Sequence, residues 1–206
     1  AGQGQKHFKL KLGFDADRDR AYVERAKAIK PAGTQILIDT NQKWSLPQAT
    51  AALNSYADLD IGFSEEPLRA DAPKADWEAL AKASPIPLAG GENINALDDF
   101  LAFVEAGVQV LQPDVAKWGG VSGALELASR VPQGVKIWPH FMGTAVGQQA
   151  ALAVTSALGA SSVCEVDVNL NPLRTELCGA VWNLLHTEPG LLTGPTQEML
   201  ERFANV

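Results

Sequence analysis

The chain of 206 residues is long enough for one domain with a sizeable core. Its composition, 46% hydrophobic and 20% charged, excludes a disordered protein. Asp and Glu total 24 against 17 Lys and Arg, and the net charge of −7 argues against nucleic acid or an anionic membrane surface as the main partner. No apolar run reaches the roughly 18 residues of a membrane span. Two cysteines without metal-ligand spacing indicate reduced thiols and a cytoplasmic protein.

Short apolar runs alternate with helical segments along the whole chain. We predict strands at 6–12, 34–38, 61–63, 86–89, 108–111, 135–138 and 162–168. We predict helices at 15–30, 45–59, 73–83, 96–106, 121–131, 144–158 and 196–203, and a Pro/Gly turn at 188–190. Strand followed by helix with short links is typical of an α/β protein with parallel strands and crossover helices.

An ionisable residue ends nearly every predicted strand. These residues recur at intervals of 22 to 28 positions: Lys11, Asp39, Glu65, Glu92, Asp114, His140 and Glu165. In a closed (β/α) barrel all strand ends meet at one mouth, so the pattern favours a TIM-type barrel over an open doubly wound sheet. A closed barrel has eight strands. The period therefore predicts that one strand precedes Lys6 and that residues 1–206 form a partial barrel domain, one piece of a longer enzyme.

The carboxylates of Asp39, Glu65 and Glu92 follow three consecutive strands. Three carboxylates at adjacent strand ends repel one another unless a cation neutralises them. A hard divalent cation with oxygen ligands, Mg²⁺ above all, does so. Each acid alone is equally consistent with a loop residue at a helix start.

Two further pairs carry acid/base chemistry. Lys9 and Lys11 are two positions apart and point to the same face of a strand. Neighbouring ammonium groups and a nearby cation favour loss of a proton from one lysine, which makes it a competent general base. Asp114 and His140 end consecutive strands, and a carboxylate that binds one imidazole nitrogen fixes the tautomer. Solvated lysines on an edge strand and a structural histidine are the alternatives.

The ordered motifs resemble the enolase superfamily, its mandelate racemase subgroup and, within that, the acid-sugar dehydratases. The matching motifs are Lys9-Leu10-Lys11, Asp39-Thr40-Asn41, Glu65-Glu66-Pro67, Gly91-Glu92-Asn93, Gln112-Pro113-Asp114 with Gly119-Gly120, Pro139-His140 and Glu165. The resemblance covers nearly the whole chain. It implies that residues 1–206 are the C-terminal catalytic part of a modified enolase-type barrel, and we expect the family's N-terminal capping domain and first strand to be absent from this chain. A separate capping segment and a homo-oligomer are the implied partners.

The resemblance also implies residue roles. Mg²⁺ would be bound by Asp39, Glu65 and Glu92. Lys11 would be one acid/base, with Lys9 as its partner near the substrate carboxylate.

On the opposite face, His140 paired with Asp114 would be the second acid/base. Glu165 would hydrogen-bond the developing enolate oxygen, and Asn41 and Glu66 would contact the substrate or support the ligands.

The implied reaction is abstraction of the proton next to the carboxylate of a small acid sugar, an aldonate or aldarate, followed by loss of the β-hydroxyl to give a 2-keto-3-deoxy acid. A racemase or epimerase and a sugar-lactone cycloisomerase would use the same residues. Arg174 is a candidate contact for a distal carboxylate, and a surface loop is its alternative. A metal-dependent barrel hydrolase usually needs several His ligands, whereas the residues here are mostly carboxylates. The alternative from a different functional class is a truncated barrel subunit without catalytic activity.

Overall fold

The computed structural model describes residues 5–177 and 195–203, and all structural statements refer to these residues. The named elements, in chain order, are β1 (His7–Lys11), α1 (Ala16–Ile29), β2 (Gln35–Asp39), α2 (Leu46–Ser55), β3 (Ile61–Glu65), α3 (Lys74–Ala83), β4 (Leu88–Gly90), α4 (Leu97–Glu105), β5 (Val110–Leu111), α5 (Gly120–Arg130), β6 (Lys136–Ile137), α6 (Ala145–Leu158), a 3₁₀ turn (Gly159–Ser161), α7 (Pro172–Thr175) and α8 (Gln197–Phe203). The chain divides into two compact units. Unit 1 comprises Ala1–Ile94, Asp98–Leu111 and Pro132–Val135, and unit 2 comprises Asn95–Leu97, Gln112–Val131 and Lys136–Val206.

Unit 1 contains a parallel sheet in which β1 to β5 pair in chain order. A helix separates each strand from the next, as parallel pairing requires. Lys11 lies opposite Asp39, and Asp39 lies opposite Glu65, with an irregularity between Ile36 and Ile38. The register therefore places three ionisable residues in one row across β1, β2 and β3.

Helices α2 and α3 each bury one stripe of side chains in the core of unit 1. In α2 the buried residues are Ala49 and Leu53, one turn apart, and in α3 they are Trp77 and Leu80. The ring of Trp77 meets that of Phe103 at a centroid distance of 4.5 Å. Spacings of three and four residues put these side chains on one helix face, which removes their apolar surface from water.

Unit 2 is organised around α5, α6 and the ends of two extended segments. Its core cluster consists of Val115, Ala124, Phe141, Ala151 and Val154. Asp114 and His140 form a parallel bridge, and the His140 N–H donates to the Pro113 carbonyl oxygen at 3.1 Å. This backbone pairing brings the two polar side chains of the bridge next to each other.

The predicted strand at 162–168 is wrong: this segment has no strand assignment. The Glu165 N–H donates to the Pro139 carbonyl oxygen at 3.4 Å and the Ser162 N–H donates to the Gly159 carbonyl oxygen at 3.0 Å, and these two bonds do not make a ladder. The Ser162 hydroxyl instead donates to the Ile137 carbonyl oxygen at 2.6 Å. The segment is extended, as a strand would be, but side-chain hydrogen bonds hold it in place of a backbone ladder. Its sequence pattern therefore resembles that of a strand.

Most predicted helices are confirmed to within about two residues. Helix α2 ends at Ser55, earlier than predicted, because the chain leaves the helix through short-range turns and a positive φ of 55° at Asp60. The short helix α7 was not expected from the sequence. The predicted turn at 188–190 lies outside the described residues. Within 5–177 and 195–203, none of the helices combines the length and apolar character needed to cross a membrane.

Candidate active site

The row across β1, β2 and β3 ends in two buried carboxylates held by two lysines. The Lys9 Nζ lies 2.7 and 2.8 Å from the two carboxylate oxygens of Glu65 and 3.4 Å from Asp39 Oδ2. The Lys11 Nζ donates to Asp39 Oδ2. Asp39 and Glu65 are both 0% exposed, so the ammonium groups neutralise charges that would be costly to bury alone. The side chain of Lys11 is 44% exposed against 13% for Lys9.

The loop after β2 is fixed in a strained conformation. The Asn41 N–H donates to Asp39 Oδ1 at 2.9 Å, and the Gln42 N–H donates to the Glu66 carbonyl oxygen at 2.8 Å. Asn41 and Gln42 have φ values of 46° and 63°, in the left-handed region that non-glycine residues seldom adopt. The Thr40 hydroxyl donates to the same carbonyl oxygen of Glu66 at 3.0 Å. The loop therefore presents the exposed Asn41 beside Asp39.

A second pair of carboxylates lies beside the row. Glu66 is 1% exposed with a φ of 40°, and its N–H donates to the Ala89 carbonyl oxygen at 3.0 Å. Burial and, to a lesser degree, the charges of Glu92 and Asp39 raise the pKa of Glu66 to about 7, a net value that includes the lowering by hydrogen bonds from Asn93 and Gln42. Four acids, Asp39, Glu65, Glu66 and Glu92, thus lie at one end of the sheet of unit 1, two of them paired with lysines.

The chemistry of this donor set fits a hard divalent cation. Asp39, Glu65 and Glu92 offer carboxylate oxygens at or just beyond three consecutive strands, and their mutual repulsion is what a cation relieves. In this structure Lys9 and Lys11 neutralise Asp39 and Glu65. Across the described residues, no three His, Cys, Asp or Glu side chains are grouped closely enough to hold a metal ion.

In unit 2 the predicted pair of Asp114 and His140 is in contact. The His140 Nδ1 lies 3.0 Å from Asp114 Oδ2, and both side chains are buried. The other oxygen of Asp114 accepts from the N–H groups of Ala116 and Lys117 at 2.9 and 3.2 Å. Burial alone would raise the pKa of Asp114, but the hydrogen bonds from His140 and from the Ala116 N–H hold it below its ordinary value. Asp114 therefore orients the imidazole and keeps its own charge.

Glu165 lies beside the other ring nitrogen of His140. Its Oε2 is 3.9 Å from His140 Nε2. The buried Gln148 of α6 donates from Nε2 to the Glu165 carbonyl oxygen and to Cys164 Sγ, both at 3.1 Å. Burial raises the pKa of the Cys164 thiol to about 12, so this thiol is no candidate nucleophile. Gln148 is not among the residues predicted from the sequence, although adjacent glutamines, Gln148 and Gln149, in an alanine-rich helix are a signal for it.

Arg174 is the remaining predicted contact. It is 2% exposed in α7, and its Nη1 lies 3.0 Å from Asp167 Oδ2. The guanidinium also donates to the Asn169 carbonyl oxygen. Arg174 therefore holds the segment around 167–169 in place, and contact with a substrate carboxylate stays a prediction for it.

Parallel strands that end in paired acids and bases define an α/β enzyme-type barrel domain. The family described as "Enolase C-terminal domain-like" matches residues 1–192. The chain belongs to this family of the enolase superfamily, and its fold is the TIM-barrel-like C-terminal domain. The resemblance inferred from the sequence motifs is thereby confirmed.

Two curated relatives are enzymes that act on sugar acids or their lactones, by their names. The chain is 30% identical over 183 residues to D-galactarolactone cycloisomerase of Agrobacterium fabrum, covering 84% of this chain and 48% of the relative. It is 31% identical over 144 residues to L-galactonate dehydratase of Hypocrea jecorina, covering 66% of this chain and 32% of the relative. The chain thus spans half or less of the length of these relatives.

Solved structures agree with this placement. A mandelate racemase/muconate lactonizing enzyme from Bordetella bronchiseptica RB50 is 40% identical, with a TM-score of 0.80, covering 84% of this chain and 49% of that one. A racemase from Streptomyces coelicolor A3(2) with bound magnesium is 25% identical, with a TM-score of 0.69, covering 80% of this chain and 45% of that one.

Proposed function

We propose that the complete protein abstracts the proton next to the carboxylate of an acid sugar and eliminates the β-hydroxyl, giving a 2-keto-3-deoxy acid. The observation that carries this proposal is the set of two acid/base groups, a lysine and a histidine, each held by a buried carboxylate. Lys11 contacts Asp39, and His140 contacts Asp114. Because a proton α to a carboxylate is very weakly acidic, the negative charge that develops must be stabilised.

The residues proposed to hold Mg²⁺ are Asp39, Glu65 and Glu92. When bound, the cation supplies positive charge that stabilises the developing negative charge of the substrate carboxylate. Support comes from the donor set itself and from the similar racemase structure that contains magnesium.

The exposure of the two lysines separates their proposed roles. Lys11 is the more accessible of the two, and it abstracts the proton. Lys9, bonded to both oxygens of Glu65, provides a fixed positive charge near the substrate carboxylate. Asn41, at the tip of the strained loop, is the proposed polar contact to the substrate.

The second set of roles belongs to unit 2. With Nδ1 bonded to Asp114, His140 transfers protons through Nε2, and it protonates the departing hydroxyl as a general acid. Glu165 is the proposed hydrogen-bond partner of the developing enolate oxygen. Arg174 is the proposed contact to the distal carboxylate of a diacid substrate.

The test is a screen of aldonates and aldarates with Mg²⁺ on the complete protein, with 2-keto acid formation as the measurement. For the acid found, Lys11→Ala and His140→Asn should each lower kcat by about 100-fold or more, since general acid/base groups contribute on this scale. The matched control is Lys74→Ala, which removes an exposed lysine that pairs with Glu105, and it should leave kcat unchanged. Unchanged turnover in Lys11→Ala or His140→Asn would refute the assignment.

A second candidate, racemisation, epimerisation or opening of a sugar lactone, uses the same proton abstraction. The similarity to a D-galactarolactone cycloisomerase favours it. Incorporation of deuterium at the α-carbon from D₂O without net loss of water would select racemisation or epimerisation. The alternative of a non-catalytic barrel subunit predicts that the complete protein binds no Mg²⁺ in calorimetry.

A further inference from the structure

A single side-chain amide joins two of the carboxylates at the sheet end of unit 1. The Asn93 Nδ2 lies 3.0 and 2.9 Å from the two carboxylate oxygens of Glu66 and 3.2 Å from Glu92 Oε1. Glu92 and Asn93 are adjacent in sequence, whereas Glu66 follows β3 directly. One short amide therefore spans from the loop after β4 to the end of β3.

The chemistry of these groups fixes which end of the amide faces the acids. The carboxylate oxygens of both acids accept hydrogen bonds, and the amide nitrogen with its two N–H groups faces Glu66 and Glu92. Two carboxylates this close repel each other, and a donor shared between them offsets the repulsion and fixes their separation.

The backbone around Asn93 is suited to hold the amide in place. The Ile94 N–H donates to the Gly91 carbonyl oxygen at 3.1 Å, which closes a turn around Glu92 and Asn93. Gly91 has a φ of 137°, a conformation that glycine adopts without strain, and Ile94 is buried. The acceptor is equally fixed, because Glu66 is 1% exposed and its carbonyl oxygen is bonded to the loop after β2.

We infer that Asn93 is a positioning residue, which sets the distance between the carboxylates of Glu66 and Glu92 and so prepares Glu92 to bind a divalent cation. The inference rests on the proposed function in one respect, the assignment of Glu92 as a metal ligand. Residues that orient metal ligands typically change metal affinity by 10- to 100-fold when they are removed.

The test compares Mg²⁺ affinity by calorimetry in the wild-type full chain and in Asn93→Leu, which keeps the shape of the side chain and removes its donors. Affinity should fall about 10- to 100-fold. The same substitution in a Glu66→Gln background should cost less, because one of the two carboxylates that Asn93 separates is no longer charged. Asn95→Leu, at an exposed position of the same loop, is the control and should stay within about two-fold of wild type.

Equal losses from Asn93→Leu in both backgrounds, or no loss in either, would overturn the inference. If the wild-type chain binds no Mg²⁺, the metal assignment fails, and the inference is then judged by urea unfolding in metal-free buffer. Asn93→Leu should lower the urea midpoint more in the wild-type background than in Glu66→Gln, because a hydrogen bond to a charged acceptor is stronger than one to a neutral amide. Equal shifts of the midpoint in the two backgrounds would show a packing role only.

Discussion

Buried charges decide the chemistry of individual residues in this protein. Asp39, Glu65 and Asp114 are each 4% exposed or less. Each carboxylate is compensated locally, the first two by lysine ammonium groups and the third by an imidazole and two backbone N–H groups. Removing one partner from such a set leaves the other charge buried and uncompensated. The free-energy cost of that uncompensated charge is usually larger than the stabilisation that the intact pair provided.

The Asp114 and His140 pair gives a pH-dependent prediction. Because the folded-state pKa of Asp114 is lowered, its charge stabilises the fold above the ordinary pKa of Asp, and this contribution is lost as the pH falls through the lowered value. Asp114→Asn should therefore lower the free energy of unfolding by about 1–2 kcal/mol at pH 7. The deficit should shrink below about pH 4.

Urea unfolding at both pH values measures this difference. Glu126→Gln, which removes an exposed acid that pairs with Arg130, is the control and should change stability by less than about 0.5 kcal/mol. A deficit of the same size at both pH values would mean that the Asp114 charge is not what stabilises the fold.

At the scale of elements, close packing against a glycine connects α6 to the segment that carries His140. Phe141, the residue after His140, lies in the core cluster of unit 2. Its ring covers Gly147 so closely that a Cβ at this position would overlap with it. Gly123 in α5 differs, since a Cβ there would make ordinary contact at 3.6 Å with Trp118.

Two glycine substitutions test this difference. Alanine favours a helix over glycine by about 1 kcal/mol, so Gly123→Ala should stabilise the fold by about 0.5–1 kcal/mol. Gly147→Ala gains the same propensity but must displace the Phe141 ring, and overpacking of about 1–3 kcal/mol should leave it net destabilised. Thermal unfolding of both variants is the measurement. An equal stabilisation of both would show that the Phe141 ring moves away at little cost.

At the scale of the whole chain, the strand-end carboxylates couple ligand binding to stability. A ligand that binds only the folded chain stabilises it by an amount set by its concentration relative to its Kd. Asp39 is buried at the centre of the row in unit 1. The proposed binding of Mg²⁺ to Asp39 should therefore stabilise the folded form of that unit.

Adding Mg²⁺ at 100 times its Kd should raise the free energy of unfolding by about 2.7 kcal/mol. Asp39→Asn should abolish this increase, because it removes a proposed ligand charge, whereas Asp99→Asn, at an exposed position in the first turn of α4, should preserve it. Chemical unfolding with and without Mg²⁺ measures the effect. A full increase in Asp39→Asn would exclude Asp39 from the metal site.

The local signals of the sequence predicted the alternation of strands and helices and the polar residues that end the strands. These signals are short-range: an apolar run, a cap, a glycine after a helix and a carboxylate at a fixed period. They failed at 162–168, where an apolar extended segment is held by the side chains of Ser162 and Gln148 and not by a backbone ladder. No local pattern distinguishes these two ways of fixing an extended chain.

By itself, the sequence determined which groups stand at the strand ends, because the alternation of strand and helix depends on short-range patterns of residues. Only the tertiary structure decided which groups pair: Lys9 with Glu65, Lys11 with Asp39, and Asn93 with Glu66. These partners are up to 56 positions apart, and they depend on strand register and on backbone turns with positive φ. A shift of one residue in register would send every side chain of a strand to the opposite face, so pairing is a property of the folded sheet.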